Sequence, residues 1–525
     1  MRHWILLLSL FVGLTTMAEQ QAQTVHIDNP ATWVASDLNA YTGRTITFDE
    51  PWYVTYVSGA SIYVSPRRLF SPTNQVLPGS SEYASMLTLN RNGSVLLKGV
   101  SGYHRTGERL HDLTVTVSST SQLTLQSCTW AGNTREELMQ GIDMAAIDAR
   151  GPHTLLVCGA NLQYYLTQQV GFDSGYGPRD DAEHQKQRKK VSKALATINA
   201  DIYGLVEVEQ GPYAQAEIAA DLTRLTGRTY KYVSDNTSAS GSYTKSCYVY
   251  CSETVEPFGT LYSTSTGVKN RKMMQCFRQK ENGEKFLYSI NHFKAKRGSG
   301  TGSDADQGDG QGEYNASRVE EAKAVANLYD RCRTAFNDDN LLIMGDLNAY
   351  GMEDPIRTLT QKGMVDLHRY FHADSSYSYV YYGEAGYLDH ALCDTSLLPQ
   401  VTGMTPFHIN SDEQDKYSYT SSDTTMFRCS DHDPVVVGLR LSNQAVYTKA
   451  DMLVVDSKLV IQNVRQGHLR IYSIDGLLVY DKALGSTGAQ EQTIDMHSIP
   501  ALTKGLYVFF LYHDGVTLRK KIFLQ

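Results

Sequence analysis

Apolar and polar positions change rhythm twice along the chain. Between residues 25 and 145 the apolar runs are short and alternating or β-branched. Arg44-Thr45-Ile46-Thr47-Phe48, Ser94-Val95-Leu96-Leu97 and Leu113-Thr114-Val115-Thr116-Val117 are examples, with Gly, Asn, Pro and Ser between them. A period of two with such breakers predicts strands, so this stretch reads as all-β. A small barrel of the oligonucleotide/oligosaccharide-binding kind is one solution and a small sandwich the other. From 150 to 442 apolar strands alternate with helical spacing, as in α/β or layered α+β domains. Thr154-Leu155-Leu156-Val157 leads to Asn161, and Ile202-Tyr203-Gly204-Leu205-Val206 ends at Glu207. Between them Val191, Leu195 and Ile198 recur at helical spacing. Residues 448–525 return to strands, with Asp475-Gly476 set between Leu469-Arg470-Ile471-Tyr472 and Leu477-Leu478-Val479-Tyr480 as a hairpin signal. Lys504–Val508 and Arg519–Phe523 complete that segment.

Polar clusters at the ends of apolar runs add chemistry to this outline. In chain order they are Asn161, Glu207, Asn291-His292, Asp346-x-Asn348, Leu388-Asp389-His390 and Ser430-Asp431-His432. Singly each is weak, because an Asp-x-Asn is usually a turn and a lone strand histidine is usually structural. As an ordered set they form an inventory for a hard cation and a phosphate ester. Hydrolysis of such an ester needs a cation on the phosphoryl oxygens, a base for water and donors for the transition state. Mg²⁺ prefers oxygen ligands and takes one or two carboxylates, which suits Glu207 and Asp431. Neighbouring strand residues face opposite ways, so the carboxylate that orients His432 is assigned to Asp389 rather than Asp431. Asp346 and Asn348, two apart, are expected to share a face toward the attacking water and a phosphoryl oxygen. His292 is expected to donate to the non-bridging oxygens.

Charge, cysteines and the N-terminus narrow the reading. The 525 residues suggest several domains, and a formal net charge of −8 excludes a protein that binds nucleic acid by wrapping it. A polyanion must then be met by a local patch or a metal ion. Lys186, Arg188, Lys189, Lys190 and Lys193 are either a solvated helix face or a phosphate contact. Arg2 and His3 followed by an apolar stretch up to Leu14 read as a secretory signal, cleaved near Ala18 or Ala22. No later segment is long and apolar enough to span a bilayer as a helix. Among the eight cysteines, Cys247-x3-Cys251 lacks a second pair at zinc spacing, and no disulfide pairing is assigned. Residues 297–312 fail the EF-hand pattern and are expected to form a mobile loop near the site, a loose cation contact at most.

The stretches ADIYGLVEVEQ, NHFKAKRGSG with DGQGEYNASRVEEAKAVANL, IMGDLNAYGMEDPI, YSYVYYGEAGYLDHAL and SDHDPVVVGL resemble the endonuclease/exonuclease/phosphatase superfamily, in particular its bacterial extracellular nucleases. The resemblance implies a four-layered α/β (α+β) sandwich with two packed mixed sheets, flanked here by N- and C-terminal all-β domains. It places Asn161 and Glu207 with the metal ligands, beside Asp431. His292, Asp346, Asn348, Asp389 and His432 take the catalytic positions, and Arg188 and Arg318 fall in segments of basic substrate contacts. The sequence departs from the family in CGANLQYY and at Gln210, which affects pocket shape rather than any catalytic group. The C-terminal hairpin and KGLYVFFLYHDG resemble the sorting domain of type IX secretion in Bacteroidota.

The expected domains are a signal peptide (1–22), an all-β domain (23–148), the catalytic domain (149–443) and a sorting domain (448–525). The expected activity is a secreted or surface nuclease using Mg²⁺ or Mn²⁺, with Ca²⁺ as a further candidate. It would act on DNA or RNA as a monomer and meet the secretion machinery through its C-terminal domain. Two alternatives stay open, the same site acting on a lipid phosphodiester or small monoester, and a non-catalytic surface binding protein.

Overall fold

A computed structural model describes residues 22–524, except 168–171, 173–174, 236–243, 265, 268–269, 443–450, 456–457, 463, 465–466, 475, 485–490 and 514–515. The secretory signal expected at 1–22 falls almost wholly outside the described residues. The chain forms two compact units, one from residues up to Leu69 with Thr88–Thr134, the other from Phe70–Leu87 with Arg135 onward.

In the first unit, strand Trp52–Ser58 pairs with Ser61–Ser65, which pairs with Val95–Lys98. Val95–Lys98 runs parallel to Gln122–Ala131, and Arg109–Ser119 closes the ring back to Trp52–Ser58. A ring has no open edge among its five members. Period-two patterning fills it: Leu113, Val115 and Val117 are buried with Ile46, Phe48 and Trp52, while Thr114 and Thr116 face Thr47 and Thr45 outside. The span read as purely β also contains a helix, Ser81–Arg91. Glu, Ala, Met and Leu favour helix there, but the interspersed Ser, Thr and Asn mask any apolar stripe.

The second unit holds two six-stranded mixed sheets. The order in one is Tyr230–Tyr232, Thr244–Cys251, Ile202–Glu209, Leu155–Tyr165, Val435–Leu439, Val401–Pro406. In the other it is Val255–Ser263, Lys272–Gln279, Lys285–His292, Leu341–Asp346, Asp389–Cys393, Val365–Asp366. Strand alternation divides the apolar residues among three cores. Leu155, Val157, Ile202, Val206, Leu342 and Met344 meet between the sheets. Leu156, Cys158, Tyr203 and Leu205 pack with Val191, Leu195, Ile218 and Leu222 of helices Asp181–Ile198 and Tyr213–Thr226. Leu341 and Ile343 pack with Val325, Leu328 and Ile356 of helices Asn315–Phe336 and Asp354–Gln361. Tyrosine hydroxyls pin the inner layer: Tyr248 donates to the Tyr288 carbonyl (2.6 Å) and Tyr288 to that of Cys158 (3.0 Å). Gly204 permits this approach, since a methyl group there would overlap the Tyr288 hydroxyl.

Residues beyond 450 form a three-stranded and a four-stranded sheet over a shared core that includes Leu459, Ile461, Leu469, Phe509 and Leu511. The expected hairpin is present, Gly467–Ser473 against Leu478–Leu484, with Gly476 at φ +88°. Asp475 lies outside the described residues. All eight cysteines are unpaired. No helix among the described residues is long and apolar enough to cross a membrane.

Candidate active site

The register of the second sheet sets out half of the site. His292 pairs with Asp346, and Asp346 with Asp389, so three predicted residues lie side by side on adjacent strands. Their neighbours Asn291 and His390 are fully buried and serve the fold, donating to the Met344 carbonyl (3.3 Å) and contacting the Ala349 carbonyl (2.7 Å). Gly345, at φ +117°, lets the middle strand pass close to the Asn291 carbonyl.

The first sheet supplies the other half through a distortion. Leu205 pairs with Cys247 and Val208 with Lys245, so Val206 and Glu207 together oppose Ser246. The facing strand bulges too, with Gln163 and Tyr164 at φ +50° and +55°. Glu207 itself sits at φ +58°, where a non-glycine residue costs about 1–2 kcal/mol. Bulges re-aim side chains beside active sites, and here the Glu207 carboxylate turns to face the other sheet. The Tyr164 N–H donates to it (3.0 Å).

Three contacts join the halves. Asn161 Nδ2 donates to Asp346 Oδ2 (3.1 Å), His292 Nε2 stands 3.6 Å from Glu207, and His432 Nδ1 is 2.7 Å from Asp389 Oδ2. His432 Nε2 faces Asp346 at 4.0 Å. The assignment of Asp389 as the partner of His432 thus agrees with the geometry. Asp346 and Asn348 are related differently from the expectation. The strand ends at Asp346, and Asn348, at φ +48°, folds back so that its N–H donates to Asp346 Oδ1 (2.8 Å). The pair is joined by a turn rather than by strand alternation. Asn161 Oδ1 accepts from Gln163 N (2.8 Å), so this side chain already bridges two groups.

Electrostatics differ between the two histidines. Burial, helped by Arg271, His432 and Lys272, holds His292 well below the ordinary imidazole range. Burial would also lower His432, but the carboxylates of Asp389, Asp346 and Asp431 outweigh it and raise it well above that range. Glu207 is pushed up to about 7, by burial first and then by the charges of Asp431 and Asp346. Burial likewise raises Asp346. Converging acids that resist ionisation call for positive charge between them. A hydrated Mg²⁺ needs only one or two direct carboxylates, which Glu207 and Asp431 can provide. Among the described residues, a tight trio of ligand atoms within 4.8 Å occurs elsewhere, at His26, Asp49 and Glu50. That trio is largely exposed, and its atoms bond one another.

Neither predicted arginine hydrogen-bonds to this cluster, and Arg318 meets Asp346 only through its charge. Arg188 is clamped to Asp221 (2.7 and 3.0 Å) and Glu217 (2.9 Å), between the two helices of its layer. Arg318 is fully buried and donates to the carbonyls of Gln311, Glu313 and Lys294. Arginine in a basic segment is read as a phosphate contact; here acids hold one guanidinium and backbone carbonyls the other. Lys190 does the same, donating to the carbonyls of Thr425 and Phe427 just before the Ser430-Asp431-His432 turn. The 297–312 loop is tied down by its own acids, Asp304 accepting from Ser317 and Asp309 from Gln311 N.

Other residues complete the site without a sequence signal. Ser378 donates to Asp389 Oδ2 (2.7 Å), the oxygen that binds His432, and accepts from the N–H groups of Leu388 and Asp389. Asn410 holds the His432 carbonyl (2.7 Å), and Asp433 accepts from Asn410 N and Ser411 N. Arg271 donates to Thr244 Oγ1 (2.9 Å) and keeps a buried Nε that has no partner among the described residues, its charge felt by Glu207 and His292. A serine in a tyrosine-rich run and an arginine after a turn look ordinary in sequence.

A family model described as "Endonuclease/Exonuclease/phosphatase family" matches residues 161–432, beginning at Asn161 and ending at His432. Similar solved structures include an endonuclease/exonuclease/phosphatase from Bacteroides vulgatus, 15% identical over 55% of this chain and 99% of that one, TM-score 0.36. A mannosyl-6-phosphatase from Bacteroides thetaiotaomicron is 16% identical over 55% and 100%, TM-score 0.36. TDP2 of D. rerio, complexed with a single-strand DNA product, is 14% identical over 55% and 99%, TM-score 0.36. No curated protein matches the chain.

Proposed function

The chain belongs to the endonuclease/exonuclease/phosphatase family, hydrolases of phosphodiesters and phosphate esters that generally use divalent cations, and from that premise we propose a metal-dependent phosphodiesterase acting on nucleic acid outside the cell. The observation that carries this is the joining of the two half-sites, Glu207 with His292 and Asp389 with His432, across the sheet interface.

Glu207 and Asp431 would hold the cation, with Asn161 beside them fixing Asp346. Bound there, a divalent cation neutralises and polarises the phosphoryl oxygens. Asp389 fixes the His432 tautomer and Ser378 fixes Asp389, leaving Nε2 directed at Asp346. His432 moves the proton as general base or acid, while Asp346 and Asn348 orient the water. His292, held neutral, and Arg271 donate to the non-bridging oxygens. Export of the chain by the 1–22 signal and a 448–525 sorting domain completes the proposal.

Cleavage of plasmid and single-stranded DNA with Mg²⁺ tests the reading. Activity should vanish in EDTA and fall at least about 10³-fold in His432→Ala. The net charge of −8 favours a small ester as the second reading. Turnover of a sugar phosphate or sphingomyelin with DNA left intact would replace the first reading with that one.

A further inference from the structure

Beside His432 a row of tyrosines leads away from the site. The ring of Tyr379 lies against the His432 imidazole, centroids 4.7 Å apart and planes 32° apart. Tyr381 follows on the same strand, 6.4 Å from Tyr379 and within 14° of parallel, and is 55% exposed. Residues i and i+2 share a strand face, so the two rings present their faces in sequence. Tyr382 stands edge-on to Tyr381 at 4.6 Å and 80°, and is 74% exposed.

The hairpin that carries them spans Tyr379–Tyr381 and Glu384–Gly386, with Tyr381 opposite Glu384. Tyr382 and Gly383 are therefore its two turn residues, at φ +47° and +87°. Such turns favour Asn-Gly, and a bulky residue at positive φ is disfavoured. The hairpin keeps an aromatic ring at a position where the backbone disfavours one. Strain of this kind gathers at ligand clamps.

We propose that the Tyr379–Tyr381 face is a stacking platform for the base of the nucleotide adjoining the cleaved phosphate. This rests on the nucleic-acid reading above and names which part of the substrate is held. The phosphate belongs with the cation and His432. Stacking of this type tolerates any base and requires one that is unpaired, so single strands and frayed ends are preferred to closed duplex.

A dinucleotide with one phosphodiester tests it, beside two counterparts lacking either the 5′ or the 3′ base, with Mg²⁺ and separate kcat and KM. Loss of one of the two bases should raise the wild-type KM roughly tenfold. Tyr381→Ala should raise KM for the intact dinucleotide by the same factor. It should leave kcat, and KM for the base-less counterpart, as in wild type. Tyr381→Leu keeps the apolar bulk without a ring face and should behave alike if the alanine variant fails to fold; Tyr381→Phe should restore wild-type KM. A wild type indifferent to both base removals overturns the platform, as does a folded Tyr381→Leu with unchanged KM. In both cases the phosphodiesterase reading survives. Failure of the wild type to cleave any dinucleotide or DNA removes that reading and the platform with it.

Discussion

Glu207 combines a left-handed backbone with a buried carboxylate, and both oppose folding. Its ordinary value of 4.5 rises to about 7. The stability that goes with the protonated form is full below about 4.5 and lost as pH rises through about 7. His432, raised above 6.5, acts in the same direction. Glu207→Gln removes the charge, so in EDTA its unfolding free energy should exceed that of wild type by a margin that grows from pH 5 to about 7 and then levels off, up to about 3 kcal/mol. Its activity and its Mg²⁺-induced thermal shift should be lost. A margin that stays constant with pH would contradict the assignment. Glu207, Asp431 and the Asp389–His432 pair were legible because carboxylates and histidines at the ends of apolar runs are rare. Ser378 and Arg271 were not, since their roles come only from register and from a partner 11 or 27 residues away.

At the scale of elements, the spacing of Val191, Leu195 and Ile198 was enough to show a helix, which the structure extends back to Asp181, whereas the division of the apolar residues among three cores emerges only from the sheet order. The double bulge at Gln163, Tyr164 and Glu207 was invisible, because a bulge breaks register without changing composition. The basic run on helix Asp181–Ile198 misled in part: burial and carbonyl acceptors claim Lys190, and acids claim Arg188. The tyrosine hairpin offers a test of its own. Tyr382→Asn gives the turn a residue that tolerates positive φ, and should raise stability by about 0.5–1 kcal/mol in thermal or urea unfolding. A loss of stability there would show that the ring contributes more to the fold than the backbone strain costs.

For the molecule as a whole, charge sets the terms of binding. With Arg188 and Arg318 committed internally and a net charge of −8, the cluster itself meets phosphate through few cationic side chains, Arg271 among them. KM for single-stranded DNA at fixed Mg²⁺ should therefore change less than about tenfold between about 50 and 200 mM salt, as expected for about two phosphate contacts. A steeper dependence would point to a basic surface that the cluster does not include. The joined half-sites also govern timing. Asn161 and His432 are separated by most of the catalytic sequence, and neither sheet alone holds both the acids and the histidine pair. An unfolded chain has no centre at which to hydrolyse anything. The hydrolytic centre therefore exists only in the assembled domain, and a chain that has built one sheet without the other carries the residues but not the chemistry.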